Sequence, residues 1–408
     1  MTSGVKRVAM VSMHTSPSAR AGTGDAGGMN VSLLATAAEL AARGVEVDLL
    51  TRATADPSAT LIAPGVTLHE LRAGPRGELP KSELPTHSDE FGESVSRLLG
   101  RGDVSYDIIH AHYWLSGIAT LPVALELGLP FVQSFHTLGA MKNRRLAKGD
   151  KPEPERRVLS ERFLAGQADA IIAGSSAEVA SLIDQVGAPP GKVWVIPPGV
   201  DGDLFSPERV AASASIRAKL GLETGRPVIV VVGRVQPLKG QDLAIRAIGA
   251  LSGVKPILAI VGSPTPGAEP FELSLRSLAA ELGIGDDVRF LGGLDRNDLA
   301  ELLATSALTL LPSHSETFGL VALESAATGT PVIGSRSTGL VESIADGISG
   351  LLLPSRDPEV WAAGISGLLS NPRKLLELSS TARAHAERFS WGTAAASLIG
   401  VYASLKRS

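Results

Sequence analysis

Short apolar runs rich in β-branched residues alternate along the chain with stretches in which apolar positions return every three or four residues. The first pattern suits strands buried on both faces and the second suits helices laid against them, so the chain reads as α/β with parallel sheets covered on both sides. Strand-like runs fall at 7–12, 45–51, 108–112, 131–136, 170–174 and 193–197, and again at 228–233, 257–262, 288–291, 308–312, 332–334 and 350–354. They predict two doubly wound, Rossmann-like domains, at 1–200 and 207–390. The segment 197–207, dense in turn formers, is the expected hinge. A final helical stretch, 391–408, follows the completed second sheet and is expected to cross back onto the first domain. Open parallel sheets bind ligands beyond the carboxyl ends of their strands, so both sets of loops should face one central cleft.

Composition narrows the class of partner. The 408 residues carry 38 basic and 42 acidic side chains, a net charge of −4, which argues against nucleic acid or an anionic membrane as the main partner. There is no cysteine, which removes disulfides, thiolate metal ligands and a cysteine nucleophile and is compatible with a reducing compartment. The amino terminus has too short an apolar stretch for a signal peptide, and no apolar run approaches the roughly 20 residues of a membrane span, so a soluble cytoplasmic protein is expected. Any anion must be bound locally.

Several constellations at strand ends could do so. Glu316 and Glu324 flank seven residues; Glu316 lies in a loop and Glu324 is expected about two turns into the helix that follows. Two carboxylates there could grip two hydroxyl clusters of one ligand, although the pair taken alone reads as a surface acid and a helix-face acid. The same helix start offers free N–H groups at Phe318, Gly319 and Leu320. Arg234 and Lys239 follow the strand 228–233, where two cations can neutralise a diphosphate or simply be solvated. The glycine-rich stretch Gly22, Gly24, Gly27, Gly28 lies between a strand and a helix, a phosphate cradle or a long turn, with Asp25 and Asn30 beside it favouring a polar ligand. It matches neither a dinucleotide fingerprint nor a P-loop. His136 emerges from a strand end, where a histidine serves either structure or catalysis. Lys81, Tyr113, Thr137 and Arg156 are scattered, yet they form a set that suits a phosphate monoester. No zinc spacing or nucleophile elbow occurs.

These residues resemble the retaining glycosyltransferases of the glycogen-synthase-like superfamily, whose Glu-x7-Glu motif matches Glu316 and Glu324. The resemblance covers nearly the whole chain. It sharpens toward the actinobacterial D-inositol 3-phosphate glycosyltransferases of mycothiol biosynthesis through His14-Thr-Ser-Pro, Gly22-Thr-Gly-Asp-Ala-Gly-Gly-Met-Asn-Val, Thr51-Arg-Ala-Thr and His112-Tyr-Trp-Leu-Ser-Gly. It implies a GT-B fold with an acceptor-binding first domain and a UDP-sugar-binding second domain, and transfer from UDP-GlcNAc to a phosphorylated polyol, inositol 3-phosphate. Carried over residue by residue, Arg234 and Lys239 would bind the diphosphate, Glu324 the ribose, Glu316 the transferred sugar and Gly28 the donor phosphate. His136 would lie against the donor sugar. Lys81, Tyr113, Thr137 and Arg156 would hold the acceptor phosphate, with His14, Asp25 and Asn30 toward the polyol. The resemblance implies retention of configuration on one face without a protein nucleophile and requires no cofactor; magnesium is compatible but indicated by no motif, and a homodimer is left open. Two departures stand out. Ser337, Thr338, Gly339, Leu340 and Val341 occupy a stretch where the family usually shows Gly-Gly-Leu-Pro, and the loop between Met141 and Glu155 is a residue shorter, which makes Arg157 an alternative to Arg156.

Overall fold

Two sheets share the work of placing the loops. The computed structural model describes residues 4–22, 24–102, 104–222, 225–265 and 267–406. The first sheet is built from β1 (Arg7–Val11), β2 (Glu46–Arg52), β3 (Ser58–Ala63), β4 (Val66–Leu71), β5 (Ile108–His112), β6 (Phe131–Ser134), β7 (Ala170–Ala173) and β8 (Val193–Val195). Its order is β3-β4-β2-β1-β5-β6-β7-β8, parallel except for β3. The second holds β9 (Val228–Val232), β10 (Ile257–Val261), β11 (Val288–Gly292), β12 (Leu308–Leu311), β13 (Val332–Ser335) and β14 (Gly350–Leu353), in the order β11-β10-β9-β12-β13-β14 and parallel throughout.

Side-chain alternation explains why both faces of each sheet are covered. Ala9 and Val11 of β1 join one core with Phe91 and Phe135, whereas Val8 and Met10 join another with Leu33 and Leu40. In β9, Ile229 and Val231 face one layer and Val228 and Val230 the other. β1 and β9 are therefore apolar at consecutive positions, which is why such runs were visible in the sequence.

The hairpin β3-β4 was not expected from the pattern. β3 pairs antiparallel with β4 at the sheet edge, and Ser58, Ala59, Thr60, Leu61 and Ile62 are all exposed. A strand exposed on both faces has no buried alternation to display.

The last helix, Trp391–Leu405, starts at Ser390, whose side chain accepts the Thr393 N–H, and lays Ala395, Leu398, Val401 and Tyr402 onto the first-domain core beside Val8 and Met10. Its return runs beside the outgoing connection, where the Val200 N–H donates to the Phe389 carbonyl at 3.0 Å. No helix among the described residues is long and apolar enough to cross a membrane.

Strand order decides where the cleft lies. β1 is flanked by β2 and β5, and β9 by β10 and β12, so in each sheet the connections diverge to opposite sides at that point. His14 follows β1, Tyr113 follows β5, Arg234 follows β9 and Glu316 follows β12. Both switch points open toward the same space.

Candidate active site

That space is a cavity of about 400 Å³ between the domains, lined among others by His14, Gly28, Lys81, Tyr113, His136, Arg234, Lys239, Glu316 and Glu324. The size suits a small-molecule site. Direct bonds cross it: the Ser175 hydroxyl donates to the Thr317 carbonyl at 2.6 Å, the Ser176 N–H to Glu342 at 2.7 Å, and the Thr317 hydroxyl to the His136 carbonyl.

On the second-domain wall, Lys239 Nζ donates to Glu316 Oε1 at 2.6 Å, and the Ser313 hydroxyl donates to the same oxygen at 2.8 Å. Lys239 ends a short turn, and Gly240 after it, at φ +69°, lies so near the Pro312 carbonyl that a Cβ would come within 2.2 Å. A glycine there is what lets the Lys239 and Glu316 loops touch. The helix Leu320–Ala327 begins after Gly319, at φ +96°, and Leu320 packs against Gly28 from the other domain. Phe318 buries its ring against Phe389, so only its main chain faces the cleft start of the helix. Glu324 corrects the expected placement: it is the fifth residue of the helix, little more than one turn in, because Glu316 to Gly319 are not helical.

Glu324 is buried, and its Oε1 accepts from Arg296 at 3.0 Å. Burial raises its carboxyl above the usual range while Arg296 draws it back. Arg296 also lines the cavity, and the sequence reading missed it. The usable signal was the principle that a buried carboxylate needs a cation, but nothing in the spacing says which of many arginines supplies it.

On the first-domain wall the scattered residues come together, with one exchange. Lys81 Nζ and Arg157 Cζ stand 4.5 and 4.8 Å from the centre of the Tyr113 ring, and Arg157 Nη2 donates to the Thr137 carbonyl and hydroxyl at 2.8 and 2.9 Å. Arg156 is exposed and outside this group. The helix Glu155–Gln167 turns consecutive residues about 100° apart, so only one of the two arginines can face inward, and it is Arg157. Arg157 is anchored by Glu161, which is fully buried, and by Glu153, at 2.7 and 2.9 Å.

Asn30 is also corrected. It is buried, both amide hydrogens go to the Thr15 hydroxyl and the Ser16 carbonyl, and its oxygen accepts the Gly27 N–H. It braces the glycine-rich loop and does not line the cavity. Asp25 bridges the domains, with Oδ1 3.3 Å from Arg234 and 3.8 Å from Lys81. The His14 ring lies tilted at 37° against Tyr113 with ring centres 4.3 Å apart, and burial, followed by the charges of Lys81, His136, Arg157 and Arg234, keeps it well below the ordinary histidine range.

His136 sits at φ +59°, an uncommon conformation for a side-chain-bearing residue. Its Nε2 lies 2.8 Å from His112 Nδ1, and burial pushes it down to about 4, so it is neutral at neutral pH. His110, pushed to about 3, bonds the Ser134 hydroxyl at 2.9 Å and the Tyr402 hydroxyl of the last helix at 2.7 Å. Sequence reasoning found neither His110 nor Tyr402, which lie 292 residues apart. Among the described residues no group of three or more histidines and acids could hold a metal ion.

Glu178, buried in the cavity wall, accepts the Gly174 N–H at 2.8 Å, and burial raises it to about 7. A native value above the unfolded one means the folded state binds more protons between about pH 4.5 and 7. This contribution is full below that window and is lost as pH rises through it. Glu178→Gln should therefore gain unfolding free energy relative to the native chain progressively from pH 5 to 7, by a few kcal/mol at most, with no further gain above pH 8. Denaturant titrations at several pH values would read the difference; a pH-independent difference would rule out the titration.

Two Rossmann-like domains facing each other across a cleft, with cations, paired glutamates and a helix start on its walls, define a glycosyltransferase of the GT-B class. The family description Glycosyltransferase Family 4 matches residues 26–204, and Glycosyl transferases group 1 matches residues 213–385. The chain is 43% identical over 406 residues to D-inositol 3-phosphate glycosyltransferase of Acidothermus cellulolyticus, covering 97% of this chain and 90% of that one. It is 42% identical to the protein of that name from Stackebrandtia nassauensis, covering 98% and 91%. Among solved structures, sucrose-phosphate synthase from Thermosynechococcus elongatus superposes with a TM-score of 0.89 at 30% identity, over 98% of this chain and 99% of that one. The chain belongs to glycosyltransferase family 4. It is a hexosyltransferase, grouped by sequence with the D-inositol 3-phosphate glycosyltransferases just named.

Proposed function

We propose that the protein moves N-acetylglucosamine from UDP-GlcNAc to 1D-myo-inositol 3-phosphate with retention of configuration, releasing UDP. The observation that carries the reading is the convergence of Lys81, Tyr113 and Thr137 on one wall, with the buried Arg157 behind them bonded to Thr137 and beside the Tyr113 ring, opposite Arg234, Lys239 and Glu316 on the other. One wall suits a phosphate monoester and the other a diphosphate joined to a hexose. The names of the relatives point the same way.

On this reading Arg234, Lys239 and the helix start after Gly319 receive the charge that grows on the diphosphate as the anomeric C–O bond breaks. Glu324, held by Arg296, takes the ribose hydroxyls, and Glu316 the hexose. The acceptor hydroxyl attacks on the face the leaving group departs from, and its proton passes to the departing phosphate oxygen. The new C–O bond replaces the old one and UDP carries the proton away. His136, neutral and bonded to His112, supports the positive sugar ring without contributing a repelling charge.

Incubation with UDP-GlcNAc should release UDP only when inositol 3-phosphate is present, and the product should have the mass of the GlcNAc-inositol phosphate conjugate. Release with the donor alone would favour a hydrolase or isomerase. Release only with UDP-glucose would favour a sucrose-phosphate-synthase-like specificity, which the 0.89 superposition makes the second reading.

A further inference from the structure

Thr338 holds a backbone conformation that threonine avoids. Its φ is +40°, left-handed, where a β-branched side chain crowds its own backbone. Such strain persists only where surrounding contacts enforce it, and here they are specific. The Thr338 hydroxyl accepts the Glu316 N–H at 2.8 Å, and the Gly339 N–H donates to the Glu316 carbonyl at 2.9 Å. The loop after β13 therefore grips both polar groups of the Glu316 main chain. Gly339 is pressed so closely on that loop that a Cβ would lie 2.0 Å from the Thr317 carbonyl. The helix Leu340–Ser343 that follows ties the segment further, its Glu342 accepting the Ser176 N–H across the cleft at 2.7 Å.

We propose that Thr338 is a positioning residue: by accepting the Glu316 N–H through its hydroxyl, it fixes the Glu316 carboxylate and thereby sets the hexose end of the donor pocket. The Glu316 carboxylate is gripped at its other end by Lys239 and Ser313. With the N–H bond removed, the carboxylate would still find its cation but could shift along the pocket, so recognition of the hexose should suffer while recognition of the nucleotide should not. The inference rests on the proposed role of Glu316 toward the transferred sugar.

The test compares Thr338→Gly with Thr338→Ser. Glycine accepts φ +40° without strain, and that relief offsets the lost hydrogen bond and the greater freedom of the unfolded chain, so Thr338→Gly should fold with a Tm close to native. Its kcat/KM for the nucleotide sugar should nevertheless fall about ten-fold, the scale of one lost hydrogen bond, while the dissociation constant for UDP stays within about two-fold. Amide hydrogen exchange at Glu316 should accelerate in the same variant. Thr338→Ser keeps the hydroxyl and should retain activity and exchange protection. A Thr338→Gly protein with native kcat/KM, a parallel loss of UDP affinity, or a Thr338→Ser protein as impaired as Thr338→Gly would each overturn the proposal. So would unchanged protection at Glu316, a readout that requires no turnover. If the native chain turns over a different nucleotide sugar, the proposed donor falls while Thr338 is judged with the donor that works; if GlcNAc transfer is confirmed and the variants behave alike, Thr338 alone falls.

Discussion

Lys239→Ala is expected to lower kcat by about 10²–10³-fold, the range seen when a preorganised charge-stabilising donor is removed from an active site. Lys239 Nζ sits 2.6 Å from Glu316, at the end of a turn held by the contact of Gly240 with the Pro312 carbonyl. Its charge is therefore in place before the leaving group develops its own, at no reorganisation cost during the step. A donor that matters mainly in the transition state depresses kcat and kcat/KM together, with little change in the KM of the acceptor. Steady-state rates with UDP-GlcNAc and inositol 3-phosphate would measure this; a fall of less than ten-fold, or one confined to KM, would remove Lys239 from the leaving-group role. Stability should change little, because both partners remain partly open to solvent, with 22% and 16% of their side-chain surfaces exposed.

Arg157→Ala should produce the largest combined effect on acceptor use and stability, and Arg156→Ala almost none. Arg157 serves the cleft through Thr137 and the Tyr113 ring, while its Nε satisfies Glu161, which has no exposed surface. Removing the guanidinium leaves Glu161 with the Gly139 N–H and no cation. Breaking a buried pair from one side costs about 3–5 kcal/mol, so a lowered unfolding midpoint is expected alongside a higher KM for inositol 3-phosphate. Lys81→Ala separates the two effects. Its side chain is 39% exposed and pairs loosely with Asp25 at 3.8 Å, so it should raise the acceptor KM about ten-fold or more, as expected for one charge-assisted contact, with a native Tm. The decisive comparison is KM for the acceptor against affinity for UDP in all three variants. An Arg156→Ala protein as impaired as Arg157→Ala, or a Lys81→Ala protein with native KM, would contradict the placement of the acceptor phosphate on this wall.

The pattern of apolar positions carried most of the architecture. The buried strands announce themselves because each is apolar on both faces, and the glycine-rich and Glu-x7-Glu stretches stand at strand ends where a doubly wound sheet must bind its ligand. β3 escaped because an exposed edge strand has no buried face to impose a pattern. Candidate chemistry was legible for Arg234 and Glu316, which closely follow the ends of β9 and β12, and for Lys239 and Glu324, which stand in the loop or helix that comes next.

What stayed hidden depends on distances that a linear chain does not encode. Arg156 and Arg157 are neighbours in sequence, and only the phase of their helix, set by how Leu164 and Ala165 dock in the core, turns one inward and the other to solvent. Asn30 looked like a ligand because it is polar beside glycines; its hydrogen bonds to Thr15 and Ser16 show that the loop itself uses its polarity. Arg296, His110, Tyr402 and Thr338 act through partners 28, 292, 292 and 22 residues away, pairings that arise when strand order and the returning last helix bring distant segments together. The sequence by itself determined the two domains, the strand ends that carry chemistry and the family, because burial and turn formation are local demands written residue by residue. Tertiary structure alone decided which side chains meet across the cleft, because a hydrogen bond or ion pair depends on ångström-scale approach between elements whose relative placement is set by the packing of the whole.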